Sequence, residues 1–315
     1  MFVIKEDIFA GFNRIILLNE QSGDYFTVIP ARGAIIQDLC LSKNNKKYNI
    51  IDGVDELELP DNNKFKSSIL FPFPGRVEDG KYNFENKNYQ LEINELQLNN
   101  SLHGIVYNEI YEVTDIVSTS SKISIELNFQ NEIIKDSFPF HFNINLLYSL
   151  SSTGEFNVTF SVLNFGEENF PFGIGWHPYF KLGEDIDELK LTLPANQYDE
   201  LNKRNLPTGN ILNLEGFMNE GTLIKNKDFD SGFIIEEQKH LASTKIYNQE
   251  ENIGIEITQK VSEGFLYTQI YTPQDRKSIA IEPQTCGANV LNTKKHLIIL
   301  SPDQAWSGNI SVKLF

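Results

Sequence analysis

Polar and apolar residues alternate with a period of two through most of this chain. The alternation is unbroken over residues 122–129, 141–146 and 156–162, where every second side chain is apolar. Successive side chains of a strand point to opposite faces, so this pattern predicts strands with one buried and one wetter face, as in antiparallel sheets. The same period predicts strands over 13–18, 25–30 and, past a bend at Gly33, 31–39. Further strands are predicted over 189–193, 253–257, 265–271, 278–282, 296–300 and 310–314. A hairpin is predicted from 81–84 to 89–93, turning over Asn86-Lys87-Asn88. Residues 57–63 and 202–209 read as polar connections. Helical periodicity of any length is absent; only Gln304-Ala305-Trp306 and the residues after Pro283 have room for a turn or two. No Gly/Ser linker, low-complexity tract or repeat divides the chain. The expected fold is all-β, one large antiparallel β-sandwich domain spanning residues 1–315.

Composition narrows the partners. The 315 residues suffice for a sizeable core, and 23 Phe with 12 Tyr favour strands. Lys and Arg number 27 against 43 Asp and Glu, a net charge of −16. Phosphate backbones and anionic bilayers need clustered cations, so neither nucleic acid nor a membrane surface is an expected partner. Cys40 and Cys286 are too few for a disulfide framework or a zinc site of their own. Charge interrupts the N-terminus at Lys5-Glu6-Asp7, which does not fit a secretory signal, and no apolar run has the length of a membrane span. A cytoplasmic location is expected, as a monomer or homodimer.

Three stretches carry candidate chemistry. In Phe172-Gly173-Ile174-Gly175-Trp176-His177-Pro178-Tyr179-Phe180 the glycines permit close backbone approach, and Pro178 restricts His177 to extended geometry. Imidazole suits proton transfer near neutral pH. Trp176, Tyr179 and Phe180 offer flat apolar faces for a sugar ring or for a core. In Ile279-Ala280-Ile281-Glu282-Pro283-Gln284-Thr285, Glu282 shares a face with Ala280, opposite Ile279 and Ile281, and Pro283 interrupts the ladder. Such a carboxylate can face a concave sheet, with a raised pKa if desolvated. The third stretch pairs Pro74-Gly75-Arg76-Val77-Glu78-Asp79-Gly80 with Ser101-Leu102-His103-Gly104. Arg76 there can hold hydroxyls or the Glu282 carboxylate, and His103 is a second imidazole in a loop.

Taken in order, Pro74-Gly75-Arg76-Val77, Leu102-His103-Gly104, Gly175-Trp176-His177-Pro178-Tyr179-Phe180 and Glu282-Pro283-Gln284-Thr285 resemble the motifs of the aldose 1-epimerases, or mutarotases, of the galactose mutarotase-like superfamily. The resemblance implies a large β-sandwich with an open sugar-binding cleft, a small aldose as partner, and no metal or organic cofactor. It implies Glu282 as general base, His177 as general acid, and Arg76 and His103 as residues that orient the sugar. It also implies an aspartate in an Asp-x-x-Phe segment. Asp230-Ser231-Gly232-Phe233 fits that form, and Asp228 stands two residues earlier. Where family members often carry Gly-Arg-x-x-Asn-Arg, this chain reads Gly75-Arg76-Val77-Glu78-Asp79-Gly80, which bears on substrate preference.

Inverting the anomeric carbon of a pyranose requires ring opening, rotation about C1–C2 and closure. A base must take the C1 hydroxyl proton while an acid protonates the ring oxygen. Three alternatives remain open at this point. A glycoside hydrolase needs two flanking acids, for which Glu282 and Asp230 are candidates. A non-catalytic carbohydrate-binding domain needs only the aromatics and Arg76. A hexose-6-phosphate epimerase predicts that cations such as Lys81, Lys203 and Arg204 gather at the cleft mouth.

Overall fold

The strongly alternating segments form the middle of a nine-stranded sheet. Its order is Glu112–Ser118, Lys122–Asn131, Phe142–Ser151, Phe156–Asn164, Ala305–Leu314, Ile253–Lys260, Leu241–Asn248, Leu189–Thr192 and Thr222–Leu223. This computed structural model describes residues 1–132 and 135–315. All registers between neighbours are antiparallel, with Leu146 opposite Phe160 and Val158 opposite Ile310. Along Phe142–Ser151 burial alternates without exception, so Phe142, Ile144, Leu146, Tyr148 and Leu150 all enter the core. Each such side chain contributes roughly 1.5–3 kcal/mol by leaving water.

An eight-stranded sheet packs against it and carries the site. Its path runs Pro207–Asn213, Gln197–Leu201, Asp230–Ile234, Tyr267–Tyr271, Ile279–Gln284, Gly175–His177 and Ser68–Leu70, with Tyr179–Phe180 also paired to Ile279–Gln284. Trp176 points inward from this sheet and meets Phe156 of the larger one at a ring separation of 6.3 Å. A five-stranded sheet, Phe2–Phe9, Phe12–Asn19, Tyr25–Ile29, Ile35–Lys43 and Lys46–Asn49, joins the same core through Phe26, whose ring lies 5.1 Å from Phe156. The antiparallel β-sandwich expected from periodicity is what forms.

Local departures have physical causes. The hairpin turns over Glu85 and Asn86, both at positive φ, and its second strand is Lys87–Gln90, so the turn sits earlier than predicted. Ala305 and Trp306 begin a ten-residue strand instead of a helical turn, because Val162 and Leu163 pair with them across the sheet. The one α-helical segment among the described residues is Val290–Thr293, after Pro283. Phe2–Phe9 and Pro207–Asn213 are strands that alternation does not reveal. Each lies at the edge of its sheet and is mostly exposed, so no buried face imposes a period of two. Lys5, Glu6 and Asp7 fall on the first of these, where charge discourages further pairing.

Candidate active site

The eight-stranded sheet has an inner face that packs the core and an outer face that is concave and polar. Strand geometry decides which side chain goes where. In Ile279–Gln284, Ile279 and Ile281 enter the core while Glu282 and Gln284 share the outer face. In Gly175–His177, Trp176 is core and His177 is directed outward. These outward side chains floor a cavity of about 480 Å³, a size suited to a small organic molecule.

His177 and Glu282 meet there. Nε2 of the imidazole lies 3.3 Å from Oε1 of the carboxylate, and the two side chains are only 7% and 2% exposed. Gln284 donates from Nε2 to the other carboxylate oxygen at 2.9 Å, fixing the plane of the acid. Gly175 makes room for it, because a Cβ at that position would lie 2.9 Å from Cγ of Gln284. The imidazole stacks on Tyr179 at 5.0 Å and meets the His103 ring edge-on at 5.2 Å. Its Nδ1 is buried with no hydrogen-bond partner among the described residues. Nε2 is therefore the nitrogen that faces a proton-exchanging group. Trp176 and Phe180 take the core role left open in the sequence, whereas Tyr179 lines the cavity.

Burial shifts both members of this pair toward their neutral forms. Desolvation drives the His177 pKa from its ordinary 6.5 to about 3. Desolvation, reinforced by the nearby Asp230 charge, holds Glu282 well above the usual carboxylate range, although Gln284 and Arg76 pull against this. Neutral acid with neutral imidazole contains the same number of protons as carboxylate with imidazolium. The two forms differ only in where one proton sits across 3.3 Å.

The loop residues arrive through a short ladder. Arg76 is opposite Leu102, the residue before His103. The backbone N–H of His103 donates to the Gly75 carbonyl at 2.8 Å, and the Gly75 N–H donates to Nδ1 of His103 at 3.3 Å. Nδ1 is thus an acceptor, leaving Nε2 to carry the proton in the neutral ring. Burial, then His177 and Arg76, hold the His103 pKa well below its usual value. The turn requires Gly104, at φ +78°, since a Cβ there would come within 2.0 Å of the Phe71 carbonyl oxygen.

Arg76 is not bonded to Glu282. Its Nε and Nη2 grip the Glu95 carboxylate at 2.9–3.0 Å, while the guanidinium remains on the cavity wall. Asp230 lies on the outer face, receives Nε2 of Gln269 at 2.8 Å, and has its pKa raised by burial. Asp228 points elsewhere: it is 93% exposed and bound to Arg276. Of the two aspartates weighed from sequence, only Asp230 reaches the cavity.

The cations expected at a phosphate site do not gather here. None of Lys81, Lys203 and Arg204 lines the cavity, where Lys64 and Arg76 supply the positive charge. Arg204 is instead held by Glu78 at 3.2 Å and Asp79 at 2.7 Å, which gives the acidic pair of the first motif its role in this chain. Sequence reasoning passed over Glu95, Gln269 and Asp199, and gave Gln284 no task. Alternation with Glu282 was the available signal for Gln284; Gln269 and Asp199 depend on pairings between separate strands, and Glu95 on a bridge to Asn100 that brings it to Arg76.

A galactose mutarotase-like β-sandwich is the class that this fold defines. A galactose mutarotase-like protein from Clostridium acetobutylicum superposes with a TM-score of 0.89 at 25% identity, covering 100% of this chain and 98% of that one. A galactose 1-epimerase from Lactobacillus acidophilus has the same fold, with a TM-score of 0.78 at 17% identity over 100% and 98% of the two chains. The uncharacterized protein YihR of Escherichia coli is 27% identical over 246 residues, 74% of this chain and 73% of that protein. The family model described as aldose 1-epimerase matches residues 17–313, and the chain belongs to that family.

Proposed function

We propose that the protein is an aldose 1-epimerase that interconverts the α and β anomers of a free hexose by acid and base catalysis. The observation that carries this reading is the imidazole–carboxylate pair, 3.3 Å apart on the floor of a polar cavity. Glu282 removes the C1 hydroxyl proton, the bond from C1 to the ring oxygen breaks, and His177 delivers a proton to that oxygen. Rotation about C1–C2 and the reverse transfers give the other anomer and restore both side chains. Ring opening converts carboxylate plus imidazolium into acid plus imidazole. Burial favours the neutral forms, so it lowers the population of the reactive carboxylate–imidazolium pair and favours both transfers once that pair has formed. Each participating group is worth about 10²–10⁴ in rate.

Arg76, His103 and Asp230 orient the sugar from the walls. Arg76 presents a guanidinium prepositioned by Glu95, His103 an N–H, and Asp230 an acceptor. The absence of Lys81, Lys203 and Arg204 from the cavity lining supports a free sugar over a 6-phosphate. Polarimetry on freshly dissolved α-D-galactose, α-D-glucose and glucose 6-phosphate tests the proposal. Faster approach to anomeric equilibrium is expected with a free hexose. Release of reducing sugar from a glycoside would instead indicate hydrolysis, and sugar binding without acceleration would indicate a binding domain.

A further inference from the structure

The tip of an edge hairpin is fastened to the cavity wall that carries Arg76. Residues 202–206 join Gln197–Leu201 to Pro207–Asn213 at the edge of the eight-stranded sheet. From this turn Arg204 donates through Nε to the Leu98 carbonyl at 3.0 Å. Its Nη2 donates to the Asn99 carbonyl at 2.9 Å and to Oδ1 of Asn100 at 3.2 Å. Glu78 and Asp79 hold the same guanidinium. Asn100, fully buried, returns a bond from Nδ2 to the Arg204 carbonyl at 3.0 Å, and the same nitrogen donates to Glu95 at 2.8 Å. Glu95 in turn grips Arg76, so one joint ties the hairpin tip to the Arg76 wall. Partly exposed ion pairs of this kind add only about 1 kcal/mol or less to stability. What they fix is the position of the next residue.

That residue is Asn205, which lines the cavity. Its φ is +56°, a left-handed conformation that Asn enters more readily than most side chains. Nδ2 donates to Oδ2 of Asp230 at 3.4 Å, while Gln269 occupies the other oxygen of that carboxylate. Among the described residues nothing donates to Oδ1 of Asn205, and its second amide hydrogen has no acceptor. The amide therefore keeps a donor and an acceptor beside a carboxylate, a set that matches a hydroxyl in both of its roles. Glu282 is opposite Gln269 and Asp230 is opposite Tyr271, on the strand beyond. The backbones of Glu282 and Asp230 are thus two strands apart, about 10 Å at roughly 4.8 Å per strand. A pyranose with its anomeric carbon at Glu282 crosses that gap with its opposite end toward Asp230 and Asn205.

We infer that Asn205 is a further sugar-contacting residue, sharing with Asp230 a hydroxyl remote from the anomeric carbon, and that Arg204 is the positioning residue that holds it there. The inference rests on the epimerase reading for the placement of the anomeric carbon at Glu282.

The test measures the binding of galactose, glucose and their 2-, 3-, 4- and 6-deoxy analogues by titration calorimetry, with anomerisation kinetics alongside. It uses wild type, Asn205→Gly and Arg204→Met. Glycine removes the amide while accepting the left-handed backbone, so the side chain alone is read. Asn205→Gly is expected to bind the preferred hexose about tenfold more weakly, with KM raised in step and kcat near wild type. One deoxy analogue, which lacks the shared hydroxyl, is expected to bind wild type and Asn205→Gly equally, whereas the others keep the tenfold penalty. A purely structural role for Asn205 would weaken every analogue alike. Arg204→Met is expected to lose at least as much hexose affinity as Asn205→Gly. Unchanged hexose affinity in Asn205→Gly, or an equal penalty across all analogues, would overturn the contact. Wild-type affinity in Arg204→Met would overturn the positioning role. Anomerisation by wild type with unchanged affinity in Asn205→Gly removes this inference alone. The analogue-specific penalty without anomerisation of any sugar removes the epimerase activity alone.

Discussion

His177 and Glu282, 105 positions apart in the chain, face each other at 3.3 Å from neighbouring strands of one sheet. Neither has a second ionisable partner within bonding distance among the described residues, and Gln284 occupies the carboxylate oxygen turned away from the imidazole. The arrangement leaves the proton between the two side chains free to move with the substrate.

Stability should depend on pH through this pair, with opposite signs for its members. His177 has a folded pKa near 3, below its unfolded 6.5, so its contribution is fully present above pH 6.5 and is lost as pH falls toward 3. Glu282 has a folded pKa above 4.5, so stability is fully present below pH 4.5 and declines as pH rises toward the folded value. Each slope is limited to ~1.4 kcal/mol per pH unit. His177→Asn should flatten the acid side of a Tm-against-pH curve, and Glu282→Gln should gain Tm relative to wild type as pH increases above 4.5.

Arg76 is expected to be intolerant of lysine. A single ammonium cannot reproduce the fork that grips Glu95 while facing the cavity. Arg76→Lys should raise KM roughly tenfold, about 1.4 kcal/mol of uniform binding, with a much smaller change in kcat. Steady-state anomerisation kinetics would read the split; an unchanged KM would remove Arg76 from sugar binding.

Two glycines with similar backbone angles should respond differently to alanine. At Gly104, φ is +78° and a Cβ would meet the Phe71 carbonyl oxygen at 2.0 Å; at Gly209, φ is +91° and nothing lies within 4 Å. Gly209→Ala should cost only the left-handed backbone penalty, about 1–2 kcal/mol. Gly104→Ala must also displace the strand that delivers His103, and about 3 kcal/mol or more is expected, at the upper end of single substitutions. Denaturant titration of the two variants gives the comparison.

Much of this site was legible in the sequence because its central residues sit in strongly constrained places. Glu282 shares a face with Ala280, and once Ile279 and Ile281 are assigned to the core the carboxylate has only one side left. His177 follows Trp176 by one position, so burial of the indole turns the imidazole outward. Glu95, Gln269 and Asp199 were not legible. Their roles arise where Arg76, Asp230 and the cavity wall are brought to them by folding, and nothing in local periodicity encodes such a meeting. Exposed edge strands escaped for the complementary reason: Phe2–Phe9 and Pro207–Asn213 bury too little on either face to impose alternation.

The most direct measurement is the anomerisation rate of freshly dissolved α-D-galactose and α-D-glucose with wild type, Glu282→Gln, His177→Asn and the double variant, with His240 and His296 substitutions as controls. A rate loss of about 10²–10⁴ is expected for each single variant. The double variant should lose little more than either single one, since the two groups act on one proton inventory. The controls should stay near wild type. A folded Glu282→Gln protein that anomerises its sugar as fast as wild type would contradict the account.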